Sequence, residues 1–297
     1  MTTHDKKLGE RIRELRIRLG ITQRELAGDK ITRNMLSLIE SGNASPSVST
    51  LLYIADRLGT SAGYFFTSTE EDEGRYFKIS IIDDLKTKFK EKKYRECEKI
   101  CESVPPSARD DELSYLAAIS YLHTALECAE IFDMAQASVS LTYARTYAGK
   151  SIYADKSFKN ALDFYGELFR TVCSDTVPAM LCDYRMCGQY VPVTMVQYFA
   201  ALAAVRDGED TPMKFADGSY YERHLRAVSL LQTEEEKMNE AIRLLRELSL
   251  DPDLPYYMKY RVLCGLEDSA NTVGDFRIAY SASRRKLELI DKCRVTD

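Results

Sequence analysis

The stretch TQRELAGDKITRNMLSLIESG, from Thr22 to Gly42, constrains this chain more than any other. It holds two short amphipathic segments separated by only four residues, Gly28 to Ile31. Thr22 stands before Leu26 and Ala27, and Glu25 follows it by three, which is the spacing of a capping box. Thr32 is an N-cap for the second segment and Gly42 its stop. Helices this short are marginal alone, so the two are expected to pack on each other as a helix-turn-helix unit. The spacing places Met35, Leu36 and Ile39 on the inner side of the second helix, and Arg33, Asn34 and Ser37 on the open side, with Leu38 also tipped outward.

The flanking residues supply the rest of a small bundle. Leu8, Ile12, Leu15 and Leu19 recur at helical spacing and Gly20 ends the run. After NASPS, Leu51, Leu52, Ala55 and Leu58 share a face, closed by Gly59. Ser61 caps a last turn carrying Tyr64, Phe65 and Phe66. Five short helices in residues 1–66 make a compact domain. The acidic, non-periodic TSTEEDEG that follows reads as an exposed linker, 67–75.

From Tyr76 to residue 297 the pattern is helix after helix, without strand-like alternation, so the fold class is all-α. The expected helices are 79–90, 94–103, 110–131, 134–149, 157–173, 192–206, 219–232, 236–249, 255–271 and 275–292. Pro105-Pro106, Pro178, Pro192, Gly208, Pro212, Pro252, Pro255 and Gly274 mark the joins, and 174–191 and 207–219 are the longest interruptions. A shared layout recurs: an aromatic or Met (Tyr94, Met134, Met238, Phe276) is followed three residues later by a small residue (Cys97, Ala137, Ala241, Ala279). The first two lie 40 residues apart and the last two 38. A small side chain at that position lets a partner helix approach closely, as in helix-hairpin repeats stacked into a solenoid.

These features carry resemblances. Thr22, Gln23, Leu26, Ala27, Thr32, Leu36, Ser37, Glu40 and Gly42 match the pattern T-Q-x-x-L-A, then S/T-x-x-x-I/L-S-x-x-E-x-G. Residues 8–66 thus resemble the XRE-type, or lambda-repressor/Cro-like, helix-turn-helix family. The turn is one residue shorter than usual and lacks the glycine before the second helix, which leaves Gly28 to supply the tight geometry. The body resembles tetratricopeptide (TPR) repeats, with a period longer than the ~34 residues of that family. Head and body together are similar to the RRNPP/Rgg-like peptide-sensing regulators of Gram-positive bacteria.

The resemblance implies double-stranded DNA as a partner, a homodimer, and a short signalling peptide or partner protein on the repeat body. Heads of this fold read half-sites about one DNA turn apart, ~34–36 Å. Gln23 is implied to touch a phosphate while bracing the second helix. The free N–H groups after Thr32 suit a phosphate, Arg33 suits guanine and Asn34 adenine, and Ser37 lies one turn along the same face. Arg24 and Asn43 are placed to touch the DNA backbone. Gln23 and Glu40 also have a purely structural reading. No ligand-contacting residue in the body follows from the sequence. The C-terminal helix, with Phe276, Ala279, Tyr280, Leu287 and Ile290 on one face, either joins two copies or caps the last repeat.

Charge and chemistry narrow the alternatives. Residues 1–66 carry ten Lys/Arg against seven Asp/Glu, net +3, whereas the remainder carries −8, a mildly basic head on an acidic body. The sequence contains no phosphate-binding loop, dinucleotide fingerprint, nucleophile elbow or H-E-x-x-H, so an enzyme is not expected. Asp83-Asp84 and Asp110-Asp111 read as helix-start carboxylates. Eight cysteines without C-x-x-C, and three scattered histidines, argue against a metal site and for reduced, largely core thiols, with no cofactor. Cys97/Cys101 and Cys182/Cys187 are the close pairs in sequence. The longest apolar run, FAALAAV, is far short of the ~20 residues that span a bilayer, and MTTHDKKLGE has no signal-peptide core. The expected setting is the cytoplasm, at the nucleoid, with no membrane partner. The rival reading is a protein-interaction adaptor whose head does not bind DNA.

Overall fold

A computed structural model describes residues 3–66, 70–105, 109–209, 214–232 and 235–294, with side chains of 3–6, 70–77, 80, 235–236 and 294 left out. Thr67–Thr69, Pro106 and Pro212 lie outside the described residues. Among these residues every regular element is helical. The elements are α1 (Thr3–Arg18), α2 (Gln23–Ala27), α3 (Arg33–Glu40), α4 (Val48–Arg57), α5 (Glu70–Lys90), α6 (Tyr94–Ser103), α7 (Asp111–Glu130), α8 (Met134–Ala148), α9 (Lys156–Arg170), α10 (Val193–Arg206), α11 (Tyr220–Leu230), α12 (Glu235–Ser249), α13 (Tyr256–Val273) and α14 (Phe276–Arg294). Short 3-10 turns cover Ala62–Phe66, Ala179–Cys182 and Tyr184–Met186. The chain is therefore an N-terminal helix-turn-helix followed by a helical-repeat solenoid. It divides into two compact units, Met1–Leu113 and Ser114–Asp297.

In the first unit, Leu8, Ile12, Leu26, Ala27, Leu36, Ile39, Leu51, Ile54, Ala55, Leu58 and Phe65 form one core. Each large member that is fully buried contributes about 1.5–3 kcal/mol. The caps occur as the spacing predicts. Thr22 Oγ1 accepts from Glu25 N while the Glu25 carboxylate accepts from Thr22 N; a further cap that the spacing does not announce is Ser47, whose Oγ accepts from Thr50 N. Further along, Phe89 and Tyr94 meet edge-on between α5 and α6, and Cys97 is fully buried.

Several expectations are corrected. Met35 is not on the inner side of its helix: it is 47% exposed, because Leu36, Ile39 and Glu40 take the buried arc. Leu19 and Leu52 are exposed; α1 ends at Arg18, and α4 turns Leu51, Ile54 and Ala55 inward instead. The acidic stretch read as linker is helical from Glu70 onward, in keeping with the stabilisation of carboxylates at a helix N-terminus. Asp83-Asp84 consequently lies inside α5 and not at a helix start. Asp110 does precede one, and its carboxylate accepts from Leu113 N.

The second unit buries one continuous core from Ala118 to Ala282. Consecutive helices pack as hairpins, α8 on α9 and α10 through α14 in series. The small repeat positions behave as their size requires: Ala137 and Ala241 are fully buried and Ala279 nearly so. Met134 and Met238 are buried beside them, whereas Phe276, in the equivalent place on the last helix, is 73% exposed. The 174–191 interruption is ordered by its own contacts. Tyr165 Oη donates to Tyr190 O at 2.9 Å, and Asn160 Nδ2 to Arg185 O at 2.9 Å.

Candidate functional site

The site is built around α3. Thr32 Oγ1 accepts from Met35 N at 3.1 Å, satisfying one orphan donor of the first turn. Behind the helix, Glu40 is 4% exposed and is held by three side-chain bonds. Arg16 of α1 forks onto it, Nε to Oε1 at 2.6 Å and Nη2 to Oε2 at 3.0 Å, and Gln23 Nε2 of α2 donates to Oε2 at 2.8 Å. Arg16 Nη1 also donates to Ile21 O at 2.9 Å, so one guanidinium ties α1 to the entry of α2 and the end of α3. The Glu40 bond raises the Arg16 pKa against the lowering effect of its partial burial. A bidentate pair of this kind fixes direction as well as distance.

The turn is clamped from α4. Gly28 adopts φ 51°, and a Cβ built there would stand 2.3 Å from Tyr53 Oη. Only glycine fits, so Gly28 does supply the tight geometry. Tyr53 Oη donates to Ala27 O at 3.0 Å and Arg57 Nη2 to Glu25 O at 2.6 Å, while the Lys30 and Arg57 cations lie over the Tyr53 ring. Gly9 plays a similar role on the other side: a Cβ there would meet Ile39 O at 2.1 Å, so α1 lies against the backbone of α3.

With α3 fixed from behind, its front stands open. Arg24, Thr32, Arg33, Asn34 and Ser37 are exposed, and Met35 and Leu38 share that surface. Asn43 is also exposed, but its Nδ2 donates to Ser41 Oγ at 2.9 Å, which secures the loop after α3. Gln23 is half-buried and engaged with Glu40, as a bracing residue should be. Arg16, Tyr53 and Arg57 were not foreseen as parts of this assembly. One signal was readable: Glu40 lies four residues after Leu36 on the buried arc, and a carboxylate there requires a cation.

Residues 9–71 match the family model for a helix-turn-helix domain. No curated protein matches the chain. Among solved structures, that of Bacillus thuringiensis PlcR in complex with the peptide PapR7 and DNA is similar at 18% identity, over 97% of this chain and 96% of that one, with a TM-score of 0.23. A TM-score that low adds nothing to what the chain's own helices establish.

The body holds a separate cleft of about 590 Å³. Phe132, Leu254, Leu263 and Leu289 give it apolar walls; Lys259, Arg285 and Lys292 add cations, and Glu130, Asp251 and Glu288 anions. Burial raises the Glu130 carboxyl, opposed by Lys259. Arg285 donates to both the carbonyl and the hydroxyl of Ser249. Elsewhere Cys97 and Cys101 are core thiols, both buried, and burial pushes Cys101 up to about 12. Among the described residues no group of three or more His, Cys, Asp or Glu side chains is placed to hold a metal ion, and no helix is long and apolar enough to cross a membrane.

Proposed function

We propose that the chain is a sequence-specific DNA-binding transcriptional regulator acting as a homodimer, with residues 1–66 as the DNA-binding head and 76–297 as a sensing and dimerising body, joined through 67–75, which is helical from Glu70. One observation carries this reading: α3 is fastened from behind by Arg16, Glu40 and Gln23, yet Arg33, Asn34 and Ser37 stand exposed on its front. A helix so fixed, with polar side chains free, suits the major groove. Arg33 is assigned to guanine, Asn34 to adenine and Ser37 to a neighbouring base edge. Arg24, Asn43 and the N–H groups after Thr32 are assigned to phosphates. The exposed Leu38 suits a thymine methyl.

The body is assigned a short signalling peptide or a partner protein. The 590 Å³ cleft supports this, since its size falls in the usual range for ligand pockets and its walls combine apolar and charged groups. Such a ligand controls the heads only through different affinities for their arrangements. The setting is cytoplasmic, at the nucleoid.

The decisive test is fluorescence anisotropy of the full chain on the DNA upstream of its own coding sequence. Arg33→Ala and Asn34→Ala should each weaken specific binding by roughly 5–150-fold, corresponding to about 1–3 kcal/mol per bidentate base contact. Log affinity should fall steeply with log salt. Binding that is absent, salt-insensitive or unchanged in both variants would instead favour an interaction adaptor.

A further inference from the structure

Two cysteines remote in sequence meet in the body. Cys173 lies in the turn after α9 and Cys293 in the last turn of α14, 120 residues on, yet their Sγ atoms are 3.1 Å apart. Both are half-buried, unlike the sequestered Cys128. The contact is supported from each side. Arg261 of α13, 1% exposed, donates to Tyr257 O at 2.7 Å and across to Thr171 O and Thr176 O at 3.3 and 3.0 Å, which ties the turn carrying Cys173 to α13. Helix α14 packs along α13, and Lys286 is paired with Glu267 between them. The sulfurs are thus neighbours because three helices are fastened around them. A disulfide requires 2.03–2.05 Å, only about an ångström less than the separation seen here.

We propose that Cys173 and Cys293 form an oxidisable dithiol, which hydrogen peroxide converts to an intramolecular disulfide joining the end of α14 to the turn after α9. The two thiols share one S–H···S bond, which holds Cys293 below the usual thiol range while it and burial push Cys173 up. Cys293 is accordingly the attacking thiolate. Its sulfur bonds to one peroxide oxygen, the O–O bond breaks, and the departing hydroxide takes a proton to become water. Cys293 is then a sulfenic acid. Cys173 loses its proton and attacks the Cys293 sulfur; the S–O bond breaks, and the released hydroxide takes that proton as a second water. The two sulfurs give up two electrons and the peroxide accepts them. In a reducing cytoplasm the bond is transient, re-opened by thiol exchange. None of this depends on what the head binds.

The test uses the full chain, reduced, freed of reductant and titrated with hydrogen peroxide, then denatured and alkylated with N-ethylmaleimide. Of the eight cysteines, six rather than eight should be alkylated after oxidation, with dithiothreitol restoring all eight. A non-reducing peptide map should show the Cys173–Cys293 linkage, and thermal unfolding of the oxidised body should shift upward by roughly 5–10 °C. In Cys173→Ser, Cys293 should stop at a sulfenic acid captured by dimedone. A link through Cys264, Cys182 or Cys187, a bond between two chains, or sulfinic acid without the linked peptide would overturn the proposal. The map is made on the unmutated protein, so its outcome does not depend on any variant folding.

Discussion

Two buried polar side chains set the most specific expectations at the residue scale. Glu40 satisfies Arg16 and Gln23 at once, so Glu40→Ala leaves a mostly buried guanidinium facing a void. Removing one partner of a buried pair costs about 3–5 kcal/mol. Arg16 retains slight solvent access, so roughly 2–4 kcal/mol is expected, read as faster hydrogen exchange of the α3 amides. Replacing both partners by apolar residues, Arg16→Met with Glu40→Leu, should recover most of that loss while loosening the aim of α3 and weakening DNA binding. In the body, His224 is fully buried, its Nδ1 is 2.8 Å from Tyr198 Oη, and burial lowers its pKa from 6.5 to about 3. The unfolded chain therefore binds a proton that the native state refuses. Stability is fully present above pH 6.5 and falls as pH drops from there toward 3, by about 2 kcal/mol at pH 5. Melts of His224→Gln should lose less between pH 7 and pH 5, and an equal loss would discount this histidine. The outward polar residues of α3 were legible from spacing. The Arg16–Glu40–Gln23 assembly was not, because its partners come from three helices and no local pattern joins them.

The turn and the close packing of α1 on α3 are properties of elements. Gly9→Ala would drive a Cβ into the Ile39 carbonyl, and backbone cannot move aside as a rotamer does. The helices must separate, at about 1–3 kcal/mol. Gly28→Ala adds a positive φ to a clash with Tyr53 and should cost at least as much. Gly149→Ala, where a Cβ makes only ordinary contact, is the control and should be neutral or slightly stabilising. Chemical denaturation of the three variants ranks them; an unaffected Gly9→Ala would mean that α1 and α3 sit further apart than described. Helix positions were legible to within a few residues nearly throughout, because caps, prolines and glycines mark ends locally. The exceptions have physical reasons. Helix α5 runs back into an acidic stretch with no apolar period to announce it, and Met35 lost the inner position to Glu40, which the buried ion pair draws into the core.

For the whole molecule, the proposed homodimer requires a surface able to join two copies. A single head contacts few bases, and two heads on half-sites a turn apart gain both affinity and length of sequence read. The repeat layout leaves one such surface uncovered. In earlier repeats the aromatic or Met position is covered, as Met134 and Met238 are, but on the last helix Phe276 and Tyr280 are 73% and 71% exposed and Leu287 is 58% exposed. Spaced by four and seven, these three form a stripe on α14, while Ala279 and Ala282 face inward against the body. The sequence puts Ala279 and Ile290 on one face with Phe276, Tyr280 and Leu287; the structure turns Ala279 inward and leaves the three large side chains outward, because periodicity identifies apolar positions and not what covers them. A stripe of this kind, otherwise an aggregation liability, fits an isologous contact with its own equivalent. Sedimentation equilibrium of the full chain should give a dimer, and Phe276→Asp with Tyr280→Asp and Leu287→Asp should give a folded monomer with unchanged helix content. That monomer should bind a single half-site as before and lose the gain from a second half-site spaced one turn away. A triple variant that remains dimeric would move the interface off α14, and a monomeric unmutated chain would leave each head to read DNA alone.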